Sequence, residues 1–250
     1  MKKKLLTDVE LRAHWHRTHS DTYTVAPDTM LTPAARDFIR ENGIRLVEAG
    51  ATMTRVPLPV SDGRPRFVDA ETGEPMAEKP EDMTHLSGNR LVSKLHPRIA
   101  FRGKLDTLQA QILCLQAAAM SAGAPALADA LDDVLARVRQ ILAAEVREAP
   151  LEPASLLGMT EDELRRASHD LKGSCGIDHP IPSRDMGSLA LRVNLLRTQV
   201  REAELAAMRA FSGGGGGCAR PDIVRALNRL SSAVYLIFAR LLTGGLDRRR

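Results

Sequence analysis

The chain has 250 residues, of which 44% are hydrophobic but only 3% aromatic, so its core must be aliphatic, and Ala- and Leu-rich sequence of this kind favours helices. That length allows one large domain, or an ordinary domain with a smaller appendage. The net charge of +4 has its basic excess at the tips, residues 2–4 and 248–250, with no basic face interleaved with aromatics; this argues against nucleic-acid binding while suiting an anionic small molecule.

The lysines at 2–4 lead only into Leu5 and Leu6, so no secretory signal is expected. Residues 1–84 are rich in Pro, Thr, Asp and Gly and read as an accessory region of short elements. Thr32 before Pro33 predicts a helix start, with Thr32 as N-cap and proline in the first turn. Asn42-Gly43 ends that helix, and residues 44–48 fit a short strand. Five prolines between 57 and 82 predict loop with room for a hairpin.

From residue 98 the pattern is helical, and residues 85–246 read as the main domain. A helix is predicted over 99–120, capped near Gly123. Leu127, Leu131, Val134, Leu135, Val138, Ile141 and Leu142 form a 3.6-residue stripe over 126–148, which is core. Thr160 and Glu163 make a capping box opening a short helix to about His169. Residues 170–185 read as irregular. Long helices follow over 186–211 and from Pro221 to about Leu242. The expected fold is mainly α: an up-down bundle of four long helices and a short one, with a small N-terminal α+β or irregular region.

The glycines at 213–217 lack the lysine and hydroxyl residue of a phosphate loop and read as a linker. Cys114, Cys175 and Cys218 are odd in number, far apart and unpaired in motif. They exclude a disulfide framework or thiolate zinc site and point to a reducing compartment. Cys175 near His179 lacks an orienting third group, so no thiol nucleophile is expected. No apolar run is long enough to span a membrane.

Two polar stripes remain. Arg197, Arg201 and Glu204 stand at i, i+4 and i+7 of one helix; Asn228, Ser232 and Tyr235 form a similar row on the last. From spacing alone they are either two solvated faces or two walls of a binding site.

The runs Arg197-Thr-Gln-Val-Arg201-Glu-Ala-Glu204 and Asn228-Arg229-Leu-Ser-Ser-Ala-Val-Tyr235 resemble those of the ethanolamine-utilization corrinoid adenosyltransferases. The propanediol-utilization type is similar at a greater distance. Thr84-His85-Leu86, the segment from Val92 through Lys94 to Asp106, and Leu31-Thr-Pro-Ala-Ala-Arg36 extend the likeness over most of the chain. The resemblance implies transfer of the 5′-deoxyadenosyl group of ATP to cob(I)alamin, with Mg²⁺ travelling on the phosphates. It assigns Arg201 to the triphosphate, Glu204 to orienting Arg201 or binding the nucleotide, and Asn228 to the nucleotide. Arg229 is a second cationic candidate, and Lys94, Thr84 and His85 resemble the family's phosphate-binding stretch.

The resemblance further implies a homotrimer with active sites between subunits, in which Asp106 pairs with Arg197 of the next copy. Residues 178–183 match the segment under the corrin. There Ile181 stands where the propanediol type has phenylalanine, an apolar group that helps cobalt lose its lower ligand. His179 beside it is either a corrin contact or a plain loop histidine.

The Cys-Cys-x-x-Cys cluster of some ethanolamine-type members is missing from 52–82, so no metal site is expected. His14, His16 and His19 fit a solvent-exposed stretch better than a substitute ligand set. A cytoplasmic setting, within a bacterial microcompartment or outside one, and an adenosylcobalamin-dependent enzyme as partner follow from the likeness. The rival readings are a corrinoid carrier with weak turnover and a helical adaptor of a microcompartment.

Overall fold

The computed structural model describes residues 5–18, 22–26, 29–48, 65–213 and 217–246. The chain divides into two compact units between Gly63 and Arg64. The predicted linker glycines at 214–216, and Pro57 and Pro59, lie outside the described residues.

The first unit is β1 (Leu5–Leu6), α1 (Asp8–Thr18), β2 (Thr22–Val25), β3 (Met30–Leu31), α2 (Pro33–Asn42) and β4 (Arg45–Glu48). β1 pairs in parallel with β3, and β2 with β4. The predicted start of α2 is present: the Thr32 side chain accepts from the Ala35 N–H. Gly43 closes α2 at φ 63°, a left-handed conformation that glycine adopts without strain. Leu6, Leu11, Ala35, Phe38 and Ile44 form a small core. The sequence reading did not anticipate α1.

The second unit begins with a four-stranded sheet of β5 (Phe67–Asp69), β6 (Pro75–Met76), β7 (Met83–Ser87) and β8 (Arg90–Ser93), in the order β6-β5-β8-β7. The helices follow: α3 (Pro97–Ser121), α4 (Pro125–Val146), α5 (Glu161–His169), α6 (Leu171–Cys175), α7 (Ser188–Ala210) and α8 (Pro221–Leu242). The capping box at Thr160 and Glu163 is complete. The stretch expected to be irregular contains α6 and a 3₁₀ turn at Arg184–Met186.

The four long helices form a mainly α bundle around an aliphatic core. α3 packs on α4 and α7, and α8 packs on α4 and α7. Neighbours run antiparallel. Lys104 early in α3 meets Glu202 late in α7, and the N–H of Leu151 just past α4 donates to Asp222 at the start of α8. α4 and α7 therefore stand diagonally opposed and run the same way. The connection over 147–187 must climb the length of the bundle, and it carries α5 and α6 along α8.

Charged contacts fix the end of the bundle where α3 and α8 begin. Glu145 is fully buried on α4, and its carboxylate accepts from Arg98 at 2.6 Å and from Arg102. Arg102 also donates to the carbonyls of His85 (3.2 Å) and Leu86 (2.7 Å), beside the bulge in β7. Arg220 donates to Asp222 at 2.8 Å and to the carbonyl of Ala149, tying α8 to the end of α4.

These contacts, the Arg220 guanidinium first, hold the Asp222 carboxyl down at about 2 from its ordinary 3.8. The stability it supplies is present above its unfolded pKa and is lost as pH falls through about 2. The shift corresponds to roughly 2 kcal/mol. Asp222→Asn is expected to lower unfolding free energy by about that amount near neutrality. In denaturant titrations the gap to wild type should narrow from pH 4 to pH 2; a gap constant with pH would refute this account.

Candidate functional site

The two polar stripes face each other across the α7–α8 seam. Because the helices are antiparallel, Glu204 meets Asn228 and Arg197 meets Tyr235. The Asn228 amide donates to Glu204 Oε1 at 3.3 Å, and the Arg197 guanidinium lies over the Tyr235 ring at 5.4 Å. Ser168 and His169 from α5, together with His179, complete an open cleft of about 530 Å³. Leu205, Ser231 and Ser232 also line it.

Each polar group in the cleft is oriented differently. Arg197 Nε donates to Asn194 Oδ1 at 3.1 Å. Arg229 donates to Asn228 Oδ1 at 2.8 Å, which turns the amide nitrogen of Asn228 toward Glu204. Arg201 is exposed and its guanidinium, among the described residues, makes no hydrogen bond or ion pair. It is an unneutralised cation on the cleft wall, and its planar fork suits phosphate oxygens.

His179 Nδ1 lies 2.8 Å from the Tyr235 hydroxyl, with the two rings nearly parallel at 4° and centroids 5.9 Å apart. Burial pushes the Tyr235 phenol up, against the opposing pull of Arg197. Tyr235 therefore stays neutral and keeps the hydroxyl that the bond to His179 needs. This contact fastens the loop before the 3₁₀ turn to α8.

Of the residues singled out in the sequence, Arg197, Arg201, Glu204, Asn228, Ser232, Tyr235 and His179 line the cleft. The others do not. Arg229 sits behind Asn228, with its Nε buried and unpartnered among the described residues. Ile181 is 86% exposed, two residues beyond His179. Thr84 is paired with Val92 in the β7–β8 hairpin, and the His85 ring packs edge-on against Phe67 at 5.8 Å. Lys94 is exposed just past β8, and Asp106 is exposed on α3 with Gln109 donating to it at 3.3 Å. Asp106 and Arg197 make no hydrogen bond or ion pair with each other within one copy.

Ser168, His169, Leu205 and Ser231 were not singled out by sequence reasoning. Ser231 adjoins the Asn228 stripe and was within reach of it. Ser168 and His169 arrive from a separate element, which spacing along one helix cannot reveal. As to metal ligands, His14 packs edge-on to Tyr23 at 4.7 Å, while the side chains of His16 and His19 lie outside the described residues.

Comparison with known proteins places this helical bundle in a family. The cobalamin adenosyltransferase family profile matches residues 76–242, and the chain belongs to that family. It is 33% identical over 247 residues to the corrinoid adenosyltransferase EutT of Escherichia coli K12, covering 94% of this chain and 91% of that protein. It is 34% identical over 244 residues to the corrinoid adenosyltransferase EutT of Salmonella typhimurium, covering 93% and 90%. No solved structure is a significant match. The resemblance read from residues 197–235 is borne out, and with it the assignment as a transferase.

The His179–Tyr235 bond yields a local test. Tyr235→Phe removes one hydrogen bond, about 1 kcal/mol. Amide exchange over residues 177–183 should quicken by roughly fivefold. Unchanged protection there would show that the loop is held by something else.

Proposed function

We propose a division of labour for the ATP:corrinoid adenosyltransferase reaction that the family assignment gives this chain. The cobalt(I) electron pair attacks C5′ of ATP. A cobalt–carbon bond forms, the C5′–O bond breaks, and triphosphate leaves with the bonding electrons. Little proton chemistry is required, so the protein's task is to place the two reactants in line and stabilise the leaving charge. Arg201 takes the triphosphate. Glu204 and Asn228 hold the nucleoside portion, with Asn228 aimed by Arg229. Mg²⁺ enters with the nucleotide, held mainly by phosphate oxygens and water.

The observation that carries this reading is the convergence of Arg201, Glu204 and Asn228 on one cleft, with Arg201 lacking any counter-ion among the described residues. The corrin lies against the loop at His179, where exposed Ile181 is an apolar surface for its lower face. Lys94, Thr84, His85 and Asp106 lie outside the cleft of a single copy. In the proposed homotrimer a neighbouring copy brings them to it, and Asp106 pairs across the boundary with Arg197. Among the described residues no helix is long and apolar enough to cross a membrane. A cytoplasmic enzyme that passes its product to an adenosylcobalamin-dependent enzyme, inside a microcompartment or free, completes the proposal.

Two experiments test it. With cobalamin reduced to Co(I) and MgATP added, the spectrum should convert to that of adenosylcobalamin, and Arg201→Ala should slow this at least about 100-fold. Tight corrinoid binding without product would replace the enzyme by a carrier. Light scattering should report a trimer for the wild type and smaller species for Asp106→Ala. A variant that remains trimeric would remove the intersubunit pair from the scheme.

A further inference from the structure

The cleft does not end at His169. This residue also borders a second depression, of about 590 Å³, lined by Asp162, Arg165, Arg166 and His169 of α5. Residues at 162, 165, 166 and 169 share one face of a helix. Both arginines are exposed. Arg166 Nε reaches only the Asp162 carbonyl, at 3.4 Å, and the Arg165 guanidinium makes no hydrogen bond or ion pair among the described residues. Asp162 is the one carboxylate in the lining. The helix dipole favours cations in the last turn of α5, but it favours them anywhere around the circumference. It does not explain two arginines and a histidine gathered on the side that opens into the cleft.

We propose that this depression binds the phosphodiester of the corrinoid's nucleotide tail. The inference rests on the reading that the adjoining cleft takes the corrinoid. A corrinoid that gives up its lower base swings out a long arm carrying a single phosphodiester anion. That arm needs a cationic surface contiguous with the corrin's own site. A guanidinium fork meets a phosphodiester through two parallel N–H···O bonds, and two neighbouring arginines offer that pairing more than once. Arg201 lines the cleft and not the depression, so the tail and the triphosphate occupy separate cationic surfaces.

Cobinamide provides the test, since it keeps the corrin ring and lacks the nucleotide and its phosphodiester. Steady-state turnover is measured with Co(I) cobalamin and Co(I) cobinamide for wild type, for the double variant Arg165→Ala and Arg166→Ala, and for the lysine pair at the same positions. The alanine variant should raise KM for cobalamin about five- to tenfold. Its KM for cobinamide, its KM for ATP and its kcat should match wild type, and the lysine pair should restore most of the cobalamin affinity. Equal losses on both corrinoids, or no loss on either, would overturn the proposal. A rise confined to ATP would assign the arginines to triphosphate and overturn it equally. A wild type that turns over neither corrinoid would bring down the cleft reading itself, and the subsite with it.

Discussion

The buried carboxylate of Glu145 constrains this fold more than any other single group. A lone carboxylate in a fully buried position costs several kcal/mol, so it must be clasped. Arg98 and Arg102 clasp it from α3, and Arg98 extends to Glu148 at 2.7 Å. Removing one partner of such a pair costs about 3–5 kcal/mol, so the contact sets the axial register of α3 against α4. Arg102 spends its remaining donors on the carbonyls of His85 and Leu86. The β7–β8 hairpin, with Thr84 and His85, is thereby fixed to the bundle by the same cluster. Arg220 and Asp222 do the equivalent work for α8.

With that end fixed, topology produces the cleft. α4 and α7 run in the same direction on opposite corners, so the chain between them must traverse about the length of a 22-residue helix, roughly 33 Å. A bare loop of that reach would leave many backbone groups unpaired. The chain instead forms α5 and α6 against α8. Ser168, His169 and His179 reach the α7–α8 seam from this crossover. The cleft wall is thus a consequence of how two parallel helices must be joined.

Much of this was readable in the sequence because local chemistry marked it. Thr32, Thr160 and Pro221 announce helix starts by a cap or by fixed φ, and the structure has helices there. The start of α1 carried a similar mark that went unread. Thr7 and Glu10 exchange capping bonds, the Thr7 N–H donating to Glu10 at 3.0 Å. Its apolar pattern is weak, with Leu11 buried but Val9 mostly exposed, so periodicity gave no support. In the site, residues spaced along one helix were legible, Ser168 and His169 from another element were not, and His179 was reached only through the family resemblance. Arg229 shows the finer limit. It adjoins Asn228 in sequence, yet successive helical residues point about 100° apart, and here Asn228 faces the cleft while Arg229 turns behind it.

The division of faces on α7 and α8 explains how the bundle tolerates such a polar site. Val193, Leu196, Val200, Ala203 and Ala207 form the buried stripe of α7, and Ile223, Ala226, Leu227, Leu230, Ala233 and Val234 supply that of α8. The alanines let the two backbones approach closely, so the core closes without help from the outer rows. Arg197, Arg201, Glu204 and Asn228 are then free of packing duty. A cation such as Arg201 keeps part of its hydration in an open cleft and avoids the full cost of burial. On the proposed function that cost arises when the triphosphate displaces the water, and the charge-assisted bonds formed at that moment offset it. The core and the cleft therefore draw on opposite faces of the same two helices, which is why the cleft can keep an uncompensated cation without unsettling the core beneath it.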